Sequence, residues 1–149
     1  MKKQGFTLIE LMVVIVIMGI LAAVAVPKLF SMIAKSKASE VGPAAGTYVH
    51  LQDAYFAEKE DTGDGTAIGF KAPASNVFGY AVTKGQFQAT NKSNLDDCTA
   101  NSTWTVASAK GGAGGGLAHT ATIAGSTADN CKALTPSFED IGKGSRSSS

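Results

Sequence analysis

The sequence predicts an α+β chain in which a long N-terminal helix, hydrophobic in its first half, packs on a small antiparallel β-sheet head. Three observations predict it. Residues 6–26 are almost wholly apolar. Residues 28–58 repeat apolar side chains at three- and four-residue steps. Beyond Asp61 the composition turns to glycine, threonine and short alternating runs. The 149 residues carry 13 Lys and Arg against 12 Asp and Glu, a net charge of +1, which argues against a nucleic-acid partner held by bulk charge. An apolar share of 44% excludes a wholly disordered polar chain.

The first element runs from Phe6 to Val26, 21 residues with one ionisable group, Glu10. As a helix it spans about 31 Å, close to the hydrocarbon thickness of a bilayer. Thirteen of the 21 residues are Phe, Leu, Ile or Val. Together they favour insertion by about 4–8 kcal/mol, and Glu10 sits near one end, where its cost is lowest. Lys2 and Lys3 precede the run and hold its start on the cytoplasmic side, which sends the remainder outward. A cleaved secretory signal is the alternative. Its apolar core is shorter, and although Ala23-Val24-Ala25 has the small-x-small form, Val26, Pro27 and a continuing helix follow it.

The second element extends that helix to about Glu58, giving a rod of about 80 Å in all. Phe30, Ile33, Ala34, Ala38, Val41, Ala45, Tyr48, Leu51 and Tyr55 form the apolar stripe, and Lys35, Lys37, Glu40, His50 and Asp53 occupy other faces. Pro27 and Pro43 cannot donate to the carbonyls four residues back, and Gly42 beside Pro43 favours a kink there. Gly19, Val24 and Val26 weaken the helix before Pro27. Asp61-Thr62-Gly63-Asp64-Gly65-Thr66 then ends it.

The third element, residues 61–144, holds four strand candidates: 77–83, 87–90, 102–108 and 117–123. The glycine-rich run 111–116 joins the last two as a flexible hairpin, and their sheet covers the stripe of the helix. Residues 145–149 form a polar, disordered tail.

Gly5-Phe6-Thr7-Leu8-Ile9-Glu10 stands where charge gives way to hydrocarbon. With Leu11-Met12-Val13-Val14, Gly19-Ile20-Leu21-Ala22-Ala23 and Pro27, it resembles the processing motif of type IV pilins and of the related type II secretion pseudopilins. The resemblance is close over residues 1–30 and rests on architecture beyond them. It implies that residues 1–5 are a leader, cut between Gly5 and Phe6 by a membrane-embedded prepilin peptidase that also methylates the new amine of Phe6. It implies that residues 6–27 are the transmembrane and assembly half of the helix and residues 28–60 its amphipathic half. Glu10 would act in subunit assembly, and Gly19–Pro27 would become extended in the filament, the alternative being a mild kink with the helix kept.

Elementary chemistry bears on the same residues. Cleavage leaves an α-amine with a reference pKa of about 7.7–8, largely cationic, and methylation keeps it basic. A lone carboxylate in lipid costs several kcal/mol. Two opposite charges at 4 Å recover about 4 kcal/mol at an effective dielectric of 20. Pairing of Glu10 with a neighbour's Phe6 amine would therefore dock subunits and fix their stagger; snorkelling of Glu10 to the interface is the bland alternative.

Export would place Cys98 and Cys131, the only cysteines, in an oxidising compartment. A bridge between them resembles the disulfide-bounded C-terminal region of many type IVa pilins. The expected partners are further copies in a helical filament, the peptidase, the pilus assembly platform with its ATPases, and the inner membrane before assembly. The alternatives are a type II secretion pseudopilin, a membrane-anchored binding protein that never polymerises, and a low-abundance tip subunit.

Catalytic, metal and cofactor readings find little support. His50 and His119 have no HxxxH or Cys/His company. The run 111–116 lacks the Gly-Lys-Ser/Thr of a phosphate loop, and Gly142-Lys143-Gly144-Ser145 precedes no helix. Glu58, Glu60, Asp61 and Asp64 do not have EF-hand spacing and read as a solvated helix end. Asn91-Lys92-Ser93 and Asn101-Ser102-Thr103 fit the N-glycosylation pattern, Ser147–Ser149 could accept an O-linked sugar, and Tyr48, Tyr55 and Phe56 read as packing residues.

Overall fold

The computed structural model describes residues 4–111 and 114–143. Lys2, Lys3, the middle of the glycine-rich connection, Gly144 and the tail 145–149 lie outside the described residues. The chain divides between Ile33 and Ala34 into two compact units.

Helix α1 runs Leu8–Ala38 and helix α2 runs Val41–Lys59. Leu8 to Met18 and Ile20, Leu21, Val24 and Val26 keep their large apolar side chains exposed, as do Leu29, Phe30, Met32 and Ile33. Among the described residues this is the one helical stretch long and apolar enough to cross a membrane. Pro27 lies inside α1 without ending it. The break falls at Ser39 and Glu40, one turn before Pro43, whose missing N–H leaves the Ser39 carbonyl without its helical donor. Ser39 Oγ turns back to the Ser36 carbonyl at 2.6 Å, a local bond that bends helices. Glu60 closes α2 in the left-handed conformation and donates its N–H to the Phe56 carbonyl.

In the second unit, Ala34, Ala38, Val41, Ala44, Ala45, Tyr48 and Gln52 form the buried stripe. Phe30 and Ile33 were expected to belong to it and do not; they are 61% and 42% exposed. Their apolar period continues that of the first unit, and periodicity alone does not say what covers a face.

The head contains β1 (Phe78–Thr83), β2 (Gln86–Asn91), β3 (Thr103–Lys110) and β4 (Leu117–Ala124), antiparallel in that order. Each strand alternates, so Phe78, Phe87, Ala89, Trp104, Val106, Ala121 and Ile123 face the helix side. Phe87 meets Tyr48 of α2 at a ring-centroid distance of 5.6 Å, and Phe78 meets Trp104 edge-on at 5.1 Å. Trp104 Nε1 donates to Thr135 Oγ1 at 2.8 Å.

Helix α3 (Ala128–Leu134) and a 3-10 turn, Phe138–Asp140, follow the sheet and were not anticipated. Seven residues are too few to display a helical period. Cys98 and Cys131 are fully buried and joined by a disulfide, which ties the loop after β2 to α3.

Candidate functional site

At the start of α1, Gly5 and Phe6 are exposed, and Phe6 shows 86% of its surface. Nothing lies within 4 Å of a Cβ built on Gly5, so the fold itself does not require glycine there. Thr7 and Glu10 form a reciprocal cap: Thr7 N–H donates to Glu10 Oε2 at 2.9 Å, and Glu10 N–H donates to Thr7 Oγ1 at 3.3 Å. The motif Thr-x-x-Glu signals this pairing, which the charge of Glu10 alone does not reveal. The cap gives the carboxylate a hydrogen-bond donor within its own chain without neutralising it.

Three buried or half-buried polar clusters hold the head on the helix. Glu40, expected on an outer face, accepts from Tyr80 Oη at 2.9 Å and also from Ser75 Oγ. Burial and the Glu40 carboxylate push the Tyr80 phenol well above its ordinary range. Gln52, fully buried, clamps Gly63 from both sides, donating to its carbonyl at 2.6 Å and accepting its N–H at 3.1 Å. A Cβ at Gly63 would lie 2.7 Å from Ile68 Cγ2, so a side chain at that position would force the loop off the clamp.

The third cluster links Asp53, His119, Ser108 and Tyr48. His119 Nε2 lies 2.9 Å from Asp53 Oδ1, its Nδ1 lies 2.8 Å from Ser108 Oγ, and Ser108 Oγ lies 3.0 Å from Tyr48 Oη. One donor order satisfies every group: Tyr48 to Ser108, Ser108 to His119, and His119 to Asp53. These are the residue types of a nucleophile relay. The serine, however, is buried, and its oxygen is also committed to the buried Tyr48. The arrangement fastens α2 to β3 and β4. Burial pushes the Tyr48 phenol up.

Among the described residues no group of three His, Cys, Asp or Glu side chains is gathered for a metal. Asp61 instead accepts from the Thr62 N–H at 2.8 Å and from Lys84 Nζ at 2.7 Å. The Lys84 ammonium and that amide hold its carboxyl below the usual range. Asp64 Oδ1 accepts the Ala67 N–H at 2.9 Å. Asn91, the first glycosylation candidate, is buried and fully used: its amide donates to the Ser93 and Thr99 carbonyls, both at 3.0 Å, and its oxygen accepts the Ser102 N–H at 2.7 Å. It organises the loop that carries Cys98. Asn101 is exposed with φ +64°, beside the buried Ser102.

Residues 1–26 match the model of the prokaryotic N-terminal methylation motif. The chain is similar to the type IV major pilin protein PilA of Myxococcus xanthus, 41% identical over 83 residues, covering 55% of this chain and 38% of the relative. It is similar to the fimbrial protein EcpC of Eikenella corrodens, 39% identical over 98 residues, covering 61% and 64%. It is also similar to a fimbrial protein of Dichelobacter nodosus, 38% identical over 121 residues, covering 73% and 71%. The chain thus spans less than two thirds of the length of the first two relatives.

Proposed function

The chain belongs to the type IV pilin family, and from that premise we propose that it is the structural subunit of an extracellular type IV pilus. The observation that carries the reading is the methylation motif over residues 1–26, which from Leu8 onward is exposed apolar helix. The names of the relatives are pilin and fimbrial names, and nothing in them favours a secretion pseudopilin.

In this reading the peptidase cuts between Gly5 and Phe6, both exposed, and methylates Phe6. Loss of Lys2 and Lys3 changes the net charge from +1 to −1. Thr7 keeps its amide after the cut, so the cap on Glu10 survives maturation. The monomer waits in the inner membrane with its head outside the cytoplasm. On assembly, the apolar surface of α1 exchanges lipid for neighbouring α1 helices, and the Glu10 charge meets the Phe6 amine of another copy. Cytoplasmic ATPases, acting through the assembly platform, drive extension. Gly19–Pro27 is the stretch where the helix yields, because Pro27 already removes the donor to the Ala23 carbonyl. Gly42 and Pro43 mark the second weak point, beside the break at Ser39 and Glu40. The fibre serves adhesion, motility or DNA uptake.

The test is mass spectrometry combined with electron microscopy of fibres sheared from cells. The expected subunit begins at methylated Phe6 and carries the Cys98–Cys131 bond. A subunit that retains residues 1–5, or cells without fibres, would overturn the proposal.

A further inference from the structure

Phe30 and Ile33 continue the apolar period of α1, yet they stay 61% and 42% exposed. Leu29 and Met32 beside them are exposed as well. The exposed apolar run of α1 therefore covers residues 8–33, about 39 Å of helix. The hydrocarbon layer of a bilayer is about 30 Å thick, and the headgroup layer adds about 5–7 Å on each side. Residues 6–26 already fill the hydrocarbon, so Leu29, Phe30, Met32 and Ile33 fall among the headgroups and at their outer edge.

The charges of the same stretch are all of one sign. Lys28, Lys35 and Lys37 are exposed, and among the described residues none of them is in an ion pair. No Asp or Glu occurs between Glu10 and Glu40. Glu40 itself is occupied by Tyr80 and Ser75. Long side chains on a helix lean toward its N-terminus, here the membrane side, so Lys35 and Lys37 reach back toward the bilayer surface.

We infer that residues 28–37 of α1 are a docking surface for anionic phospholipid headgroups of the leaflet facing away from the cytoplasm. Leu29, Phe30, Met32 and Ile33 enter the boundary between headgroup and acyl chain, and the three ammonium groups bind phosphate. Cations interleaved with exposed aromatic and aliphatic side chains are the composition of a helix surface at that boundary. Charge selects lipid over protein. The same stretch of a second copy brings three more lysines and no acid, so the two repel. A zwitterionic headgroup has a phosphate but no net charge, and holds the lysines less firmly. This surface presupposes the membrane-anchored reading. Processing at Gly5 removes Lys2 and Lys3, which leaves Lys28, Lys35 and Lys37 as the side-chain cations beside the span. A subunit entering a fibre has to release these headgroups, so the anionic fraction of the bilayer sets how firmly the monomer is retained.

The experiment places the full chain, isolated from membranes in detergent, in vesicles of phosphatidylcholine alone or of phosphatidylcholine and phosphatidylglycerol in equal parts. Flotation checks incorporation. A brief pulse of a water-soluble amine reagent follows, and mass spectrometry reads each lysine separately. Relative to the exposed Lys71 and Lys110 of the head, Lys28, Lys35 and Lys37 are expected to react about fivefold more slowly in the vesicles with phosphatidylglycerol. High salt should remove the difference. Spin-labelled lipids give a second measure. Phosphatidylglycerol should be preferred over phosphatidylcholine several times by the native chain and by Lys28→Arg with Lys35→Arg and Lys37→Arg. The preference should vanish in Lys28→Gln with Lys35→Gln and Lys37→Gln. Equal reactivity of the three lysines in the two vesicles, or a preference that survives the glutamine substitutions, would overturn the inference. So would protection that is equal in both vesicles and grows with protein density, which would assign the stretch to a second copy. A chain that floats with neither vesicle would instead sink the membrane-anchored reading itself.

Discussion

At Glu10 two functions of one side chain are separable. Its oxygen caps the helix through the Thr7 amide, and its charge is what a second subunit would neutralise. Glutamine can cap at this position but carries no charge. Glu10→Gln should therefore keep the helix start and membrane insertion and lose fibres, while Glu10→Ala loses the cap as well. Normal fibre yield from the glutamine variant, measured on sheared material, would refute charge pairing. Gln52 is the corresponding residue of the head. Gln52→Ala leaves both backbone groups of Gly63 without their partner and opens space behind a fully buried side chain. The expected loss is about 2–4 kcal/mol, read as a lower urea midpoint for the chain in detergent. Tyr80 gives a pH dependence. Its phenol is raised in the folded state by burial and by Glu40, so its contribution is fully present below about pH 10, the unfolded reference value, and is lost as pH rises through the folded value. Ultraviolet titration should show part of the phenolate appearing only as the head unfolds. Tyr80→Phe should flatten that alkaline loss.

At the scale of elements, the pattern read from the sequence located all four strands to within one or two residues, because a sheet with one covered face writes its period directly into the chain. The helix was legible for the same reason, as was the disturbance around Pro43. Three things were not. Phe30 and Ile33 continue an apolar period that the head does not cover. Helix α3 is too short to show any period. Glu40 read as solvent-facing because its partners lie 35 and 40 residues away, and local spacing carries no information about such pairings. The disulfide ties one of these pieces, α3, to the Asn91-organised loop after β2. Its separation of 33 residues is worth about 4 kcal/mol in the loop-entropy account. Replacing Cys98 and Cys131 together by Ala should lower unfolding stability by about that amount, with the midpoint of urea denaturation as the measure. A shift under about 1 kcal/mol would mean that the unfolded chain is already confined in that region.

For the whole molecule, the proposed assembly would proceed through one surface, because the others are unsuited to it. The large exposed apolar side chains are concentrated in α1 up to Ile33, while the buried core begins at Ala34. The sheet edges are engaged at Val82 and Ile123, and the open sheet face is too small to hold a lone pair together. A chain beginning at Ala34 therefore retains every member of the buried cluster and loses the surface that requires lipid or other helices. It should fold with its disulfide formed and remain a monomer at micromolar concentration without detergent, whereas the chain from Phe6 onward should need detergent or polymerise. Sedimentation velocity of the two, with circular dichroism to establish folding, makes the comparison. Within the shorter chain, Glu139→Ala frees the Ile123 N–H on β4 and removes the partner of Lys132 at 3.5 Å. Slow association of that variant, with the parent staying monomeric, is the outcome expected if edge protection confines polymerisation to the helix. Association of the unaltered shorter chain would show that the head polymerises by itself, and the division of labour argued for α1 would fail.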